Sequence, residues 1–182
     1  EGGLRVEQVS YRPEGGQRER RFTPFSASAG AIVDVGSNSH LKLSATHAQR
    51  APAAEELYAN GAHVATGTFE VGNSSSRKES LSNIELGFDH HQGRLGIEAA
   101  IFQQRARNYI HLQEQDADNN GEADVVSVDG EDFLLVRYAQ TDARFHGYEA
   151  AATWALINDG PFQLGTRVFT DRVSGRLDGA GN

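Results

Sequence analysis

The 182-residue sequence contains no cysteine and no methionine. The missing cysteine removes disulfide staples and thiol chemistry. No stretch approaches the ~18 consecutive apolar residues of a spanning helix, and only 38% of the chain is hydrophobic. That does not exclude a membrane, because barrel strands need only one apolar face. Positive charge is in deficit, with 17 Lys and Arg against 25 Asp and Glu, for a net −8. Nucleic acid is thereby disfavoured as a partner, since phosphate binders carry a basic stripe. An acidic balance is compatible with cation capture and otherwise serves solubility. No secretory signal is recognisable at Glu1, so a mature product or a piece of a longer chain is expected.

What is present is alternation with period two. Seven strands are expected: Gly3 to Arg12, Phe22 to Val35, His40 to Gln49, Glu79 to His90, Arg94 to Ile110, Phe133 to Leu156 and Phe162 to Val173. The third sets Leu41, Leu43 and Ala45 against Lys42, Ser44 and Thr46. The fourth sets Ile84, Leu86 and Phe88 against Asn83, Glu85 and Asp89. Charges recur mid-strand on the polar faces, at Lys42, Glu85, Glu98, Glu149 and Arg167. Only the segment Pro52 to Asn60 has helix-forming composition, and a short helical turn is expected there.

The connections are sorted by length. Tight turns read Gly36-Ser37-Asn38-Ser39, His91-Gln92-Gly93 and Asn158-Asp159-Gly160-Pro161. Long polar loops run from Arg50 to Lys78 and from His111 to Glu131. Short turns at one rim and long loops at the other are the pattern of an antiparallel up-and-down transmembrane β-barrel. The polar face then lines a wet lumen. The aromatics Phe88, Trp154 and Phe162 are expected at the short-turn rim, as an interfacial girdle or as ordinary sheet packing. Single-chain bacterial barrels have even strand counts, so seven strands imply a piece of a larger barrel.

Ordered local patterns carry a resemblance. Arg50-Ala51-Pro52 is followed by Glu56-Leu57-Tyr58, Phe69-Glu70-Val71-Gly72-Asn73 and Lys78-Glu79-Ser80. Asn83-Ile84-Glu85-Leu86-Gly87, Asn108-Tyr109-Ile110 and Gly147-Tyr148-Glu149 follow in order. In this order they resemble the TonB-dependent outer-membrane receptor family. The resemblance implies an all-β barrel of about 22 strands filled by a plug, of which residues 1–182 are a partial barrel domain. It places the plug, the TonB box and the closing C-terminal strand outside these residues. It implies outer-membrane lipid, the TonB energy-transducing complex and a metal or metal-complex substrate as partners. Tyr58-Ala59-Asn60-Gly61-Ala62-His63-Val64-Ala65-Thr66 is most similar to the zinc- and haem-uptake receptors, which carry a histidine at the position of His63.

His63 is accordingly the chosen zinc ligand, imidazole being the commonest nitrogen donor. Zinc wants about four donors, and Glu55, Glu56 and His47 are the candidates nearby in sequence. A single loop histidine is also compatible with an exposed side chain that binds nothing. A second candidate spans Asp116 to Asp124. Asp116, Asp118, Asn120 and Asp124 stand at positions one, three, five and nine of a calcium-loop spacing, with Gly121 at six and Glu122 a further oxygen donor. Ser127 stands where such a loop carries its bidentate glutamate, and a solvated acidic loop reads the same way.

Asp89-His90-His91 falls in an expected turn. No nucleophile elbow, phosphate-cradling glycine loop or zinc-protease helix is present, so no enzyme is expected. Two functions compete. One is a receptor that takes up zinc, haem or a siderophore through its extracellular loops and an energy-coupled plug. The other is a soluble or surface β-domain, a binding module stiffened by calcium in the acidic loop.

Overall fold

A computed structural model describes residues 1–158 and 160–178. Its elements, in chain order, are β1 (Gly2–Val6), β2 (Val9–Tyr11), β3 (Arg20–Phe22), β4 (Phe25–Asp34), β5 (Ser39–Arg50), α1 (Ala54–Tyr58), β6 (Asn60–His63), β7 (Thr68–Val71), β8 (Glu79–Gln92), β9 (Leu95–Glu114), β10 (Val125–Val128), β11 (Glu131–Ile157) and β12 (Leu164–Asp178). β1, β4, β5, β8, β9, β11 and β12 lie side by side as one antiparallel meander. These are the seven expected strands. The other five are additions at the long-loop rim.

The register carries one face across the sheet. Val33 pairs with Leu41, Leu41 with Phe88, Phe88 with Ala99, and Ala99 with Ala150. The next row reads Ala31, Leu43, Leu86, Ile101 and Tyr148. This face is uncovered: Ile84 is 62% exposed and Ile101 58%. Glu85, Phe102, Gly147 and Val173 form a row on the opposite face. Side chains alternate strictly in a strand, so a slip of one residue would exchange the two faces. Trp154 and Phe162 stand exposed near the short-turn rim. Phe88 lies deeper in the apolar belt, paired with Leu41 and Ala99.

The turns hold with small shifts. Gln92 pairs with Leu95, which leaves Gly93 and Arg94 as a two-residue turn. Gly93 has φ +59°, a left-handed conformation that glycine adopts freely and that tight hairpins require. In the third expected turn Asp159 lies outside the described residues.

Three expectations need correction. The first strand ends at Val6, and β2 pairs instead with β3. The second does not begin at Phe22, because Pro24 separates β3 from β4 and proline cannot donate to a ladder. The long loops carry more structure than the one helical turn expected. The loop after β5 holds α1, β6 and β7, and the loop after β9 holds β10. The helix falls inside the expected segment. Glu56 caps it, accepting the Ala53 N–H at 2.8 Å, as a carboxylate at this position does.

The buried core sits at the long-loop rim. Phe22, Leu57, Ile110, Phe133 and Val136 are among its buried apolar residues. The β2–β3 hairpin folds onto the loop: Tyr11 Oη donates to Pro52 O at 2.8 Å and Tyr58 Oη to Arg18 O at 2.8 Å. Tyr11 makes edge-on ring contacts with both Phe22 and Tyr58. Across from β11, β9 carries a bulge between Ala106 and Tyr109. Asn108 takes φ +53° there and donates its N–H to Asp142. Asparagine tolerates this region better than most residues.

Two predictions follow from this packing. A Cβ on Gly72 would stand 2.5 Å from Tyr58 N, whereas one on Gly61 meets nothing within 4 Å. Gly72→Ala should destabilise the rim by about 1–3 kcal/mol, seen as faster hydrogen exchange in α1 and β7, with Gly61→Ala as the silent control. In hydrocarbon, an arginine at Leu43 should cost about 2–4 kcal/mol in bilayer folding titrations. Ser44→Arg, one residue away on the polar face, should cost far less.

Candidate functional site

The loop after β5 crosses the rim and adds its hairpin to a distant strand. β7 runs parallel to β11, with Thr68 opposite Leu134 and Val71 opposite Arg137. β9 occupies the other edge of β11 at Val136 and Arg137. β12 pairs with β11 only as far as Asp142. The β6–β7 hairpin therefore fills the edge of β11 that β12 leaves open, a strand-addition contact.

Glu70 is the hub of this contact. Tyr138 Oη, on β11, donates to its Oε2 at 2.9 Å. His63 Nδ1, across the hairpin, lies 3.0 Å from Oε1. Burial alone would raise the Glu70 carboxyl. The hydrogen bonds from Tyr138 and His63 and the attraction of His63 outweigh it, so the group sits below the ordinary glutamate range. His63 itself is more than half exposed.

A second cluster fixes the start of the loop. Arg50 makes a paired contact with Glu56, at 2.8 and 3.0 Å, and a third with Glu79 at 3.0 Å. Gln140 and Arg77 exchange two hydrogen bonds of 2.8 Å through the Gln140 amide and the Arg77 backbone. The Arg50–Glu79 and Gln140–Arg77 ties join residues 29 and 63 apart in sequence.

The sequence-expected zinc residues do not meet. His47 is on β5 with Nδ1 3.0 Å from Ser82 Oγ. Glu56 is held by Arg50, and Glu55 is exposed on α1. The partner of His63 is Glu70. Its signal in the sequence is only an acid seven residues along; Tyr138 has none, because β11 arrives by tertiary pairing. In the acidic loop, Asp116 accepts from the Asn120 and Gly121 N–H groups, Asp118 from the Asn120 N–H and Asp124 from the Ala117 N–H. Asn120 Oδ1 accepts from the Glu122 N–H. Among the described residues no three His, Asp or Glu side chains are grouped as a metal would require.

The polar face of the sheet is charged. A depression of about 530 Å³ is lined by Lys42, Glu85, Asp89, Glu98, Glu149 and Arg167, among others. Lys42 pairs with Asp89, and Arg167 stands 3.6 Å from Glu98. Such a wall suits water or a polar filling, not lipid.

A family model described as TonB dependent receptor-like, beta-barrel matches residues 1–181. Among solved structures, the copper transporter OprC is similar with a TM-score of 0.71 at 18% identity, over 98% of this chain and 26% of that one. The FrpB iron transporter from Neisseria meningitidis gives 0.62 at 17%, over 97% and 23%. The siderophore receptor PirA from Pseudomonas aeruginosa gives 0.62 at 17%, over 97% and 32%. The chain thus spans between about a quarter and a third of these proteins. At such identities the likeness is one of fold.

Removing either hydrogen-bond partner should release the hairpin. Tyr138→Phe and Glu70→Gln should each cost about 1–3 kcal/mol locally, read as faster hydrogen exchange at Thr68–Val71. Exchange in the belt strands should not change. Unaltered exchange in both variants would mean that backbone pairing alone holds β7.

Proposed function

We infer the function of this chain from its membership of the TonB-dependent receptor family: it belongs to that family's β-barrel and resides in the bacterial outer membrane. The uncovered apolar face meets lipid and the charged face lines the lumen. The chain supplies barrel wall and two substrate-side loops to a receptor whose remaining strands and plug lie outside these residues. The whole receptor imports a scarce metal or metal complex, coupled through its plug to the TonB complex. A soluble calcium-stiffened domain is the weaker reading, because it leaves the apolar face without a cover.

For the substrate we propose a transition-metal ion or its complex, with zinc as the first to test. The observation that carries this is the His63–Glu70 pair. Metal-binding histidines commonly donate one ring N–H to a carboxylate, which orients the ring and leaves the other nitrogen's lone pair for the metal. Nδ1 of His63 faces Glu70 at 3.0 Å, so Nε2 is the nitrogen available to an incoming ion. The other donors would come from the rest of the receptor or from the ligand itself.

Calorimetric titration of zinc into the intact receptor in detergent tests this reading. His63→Ala should weaken binding at least tenfold, about 1.4 kcal/mol, and Glu70→Gln by about tenfold or more. Zinc binding that is absent, or indifferent to His63, overturns the zinc assignment and leaves the receptor assignment in place. Calcium as a separate titrant reports on the loop from Asp116 to Asp124.

A further inference from the structure

We propose that the outer face of this barrel wall carries a binding site for a phosphorylated glycolipid of the outer leaflet, built on Arg105, Arg144 and Arg176. The proposal rests on the lipid-facing assignment of the apolar face, not on which substrate is imported. The three arginines come from β9, β11 and β12. Arg144 pairs in register with Arg105 on one side and Arg176 on the other. All three are exposed and share the face of Ile101, Tyr148 and Trp154. Arg107 flanks the row on the same face, and Arg172 lies four residues below it, opposite Tyr148.

Like charges directly opposite one another on a sheet are destabilising. Here three stand abreast with little internal compensation. Arg144 reaches Asp178 at 3.1 Å, while Asp142 accepts the Asn108 N–H. Among the described residues neither Arg105 nor Arg176 has a carboxylate partner. An anion with several phosphate oxygens would relieve the repulsion, and guanidinium groups bind phosphate in paired hydrogen bonds.

The height of the row selects the source of that anion. Trp154 marks the short-turn border of the belt, and Arg144 lies ten residues further along β11. At about 3.3 Å per residue and a tilt of about 40°, this is a height of about 25 Å, the thickness of a barrel's apolar band. The arginines therefore stand at the headgroup level of the leaflet on the long-loop side. Just below them, on the same face, is a depression of about 620 Å³ lined by Ile84, Leu86, Ile101 and Tyr148, with His146 and Arg172 among its polar members. A headgroup phosphate on the row would place an acyl chain in this depression. A free phosphate would have no use for it.

The test uses the intact receptor in nanodiscs doped with bisphosphorylated lipid A or with its dephosphorylated form. Retained glycolipid per receptor is counted by native mass spectrometry after delipidation. The expected result is retention of the bisphosphorylated form that falls at least fivefold in the triple variant R105Q/R144Q/R176Q. It should be restored when the three are lysine, and unchanged in the lumen-facing Arg167→Gln. If the triple variant fails to fold, the single variants Arg105→Gln and Arg176→Gln, each expected to halve retention, decide instead. Equal retention of the two lipids, or retention indifferent to the arginines, overturns the proposal. Because the readout is lipid retention, loss of zinc binding alone would bear on the import reading and not on this one.

Discussion

Everything in this structure depends on pairing backbone N–H and C=O groups between strands where no water can replace them. In hydrocarbon an unpaired peptide group costs several kcal/mol. β5, β8, β9 and β11 meet that demand with antiparallel ladders from one rim to the other, interrupted at the β9 bulge around Asn108. Once the ladders are set, alternation divides the side chains between two solvents. Leu43 and Ile97 go to one and Glu85 and Glu149 to the other, and no thick core is needed between them. The modest hydrophobic content of the chain follows, because each strand is asked for a single apolar face.

The long-loop rim obeys a different rule. There the chain meets water and folds as small soluble proteins do, around a buried cluster. Leu57, Phe22 and Val136 come from three separate stretches. Strand addition by β7, the Arg50 ion-pair cluster and the Glu70 hub hold them together. A barrel wall of this kind thus combines a uniform belt, where register is everything, with a rim of specific contacts. Differences in ligand can be written into that rim without disturbing the belt, since loops on a rigid scaffold carry function.

The charges are sorted in the same way. On the lumen side Lys42 and Arg167 stand among carboxylates and pair with them. On the lipid side charge is sparse through the belt, where Arg172 stands opposite Tyr148, and gathers as an arginine row at its upper border. A sheet whose two faces meet different surroundings can hold opposite electrostatic characters one residue apart.

Much of the barrel was legible in the sequence. Period two, glycine-bearing turns and unequal connections determined the number of wall strands, the two faces and the two rims. These are local properties, fixed by side-chain alternation and by which residues tolerate turn geometry. His63 could be singled out by resemblance, but its neighbours could not. Glu55, Glu56 and His47 are near it in the chain, yet the fold gives it Glu70 and sends Glu56 to Arg50. The partner of Glu70, Tyr138, lies 68 residues away and reaches it only because β7 finds the open edge of β11. The arginine row was equally invisible, since Arg105, Arg144 and Arg176 become neighbours only through ladder register. Alternation is local and written along the chain; the encounters arise only in the fold, because which residues meet across strands depends on register and edge pairing between segments that carry no mark of each other.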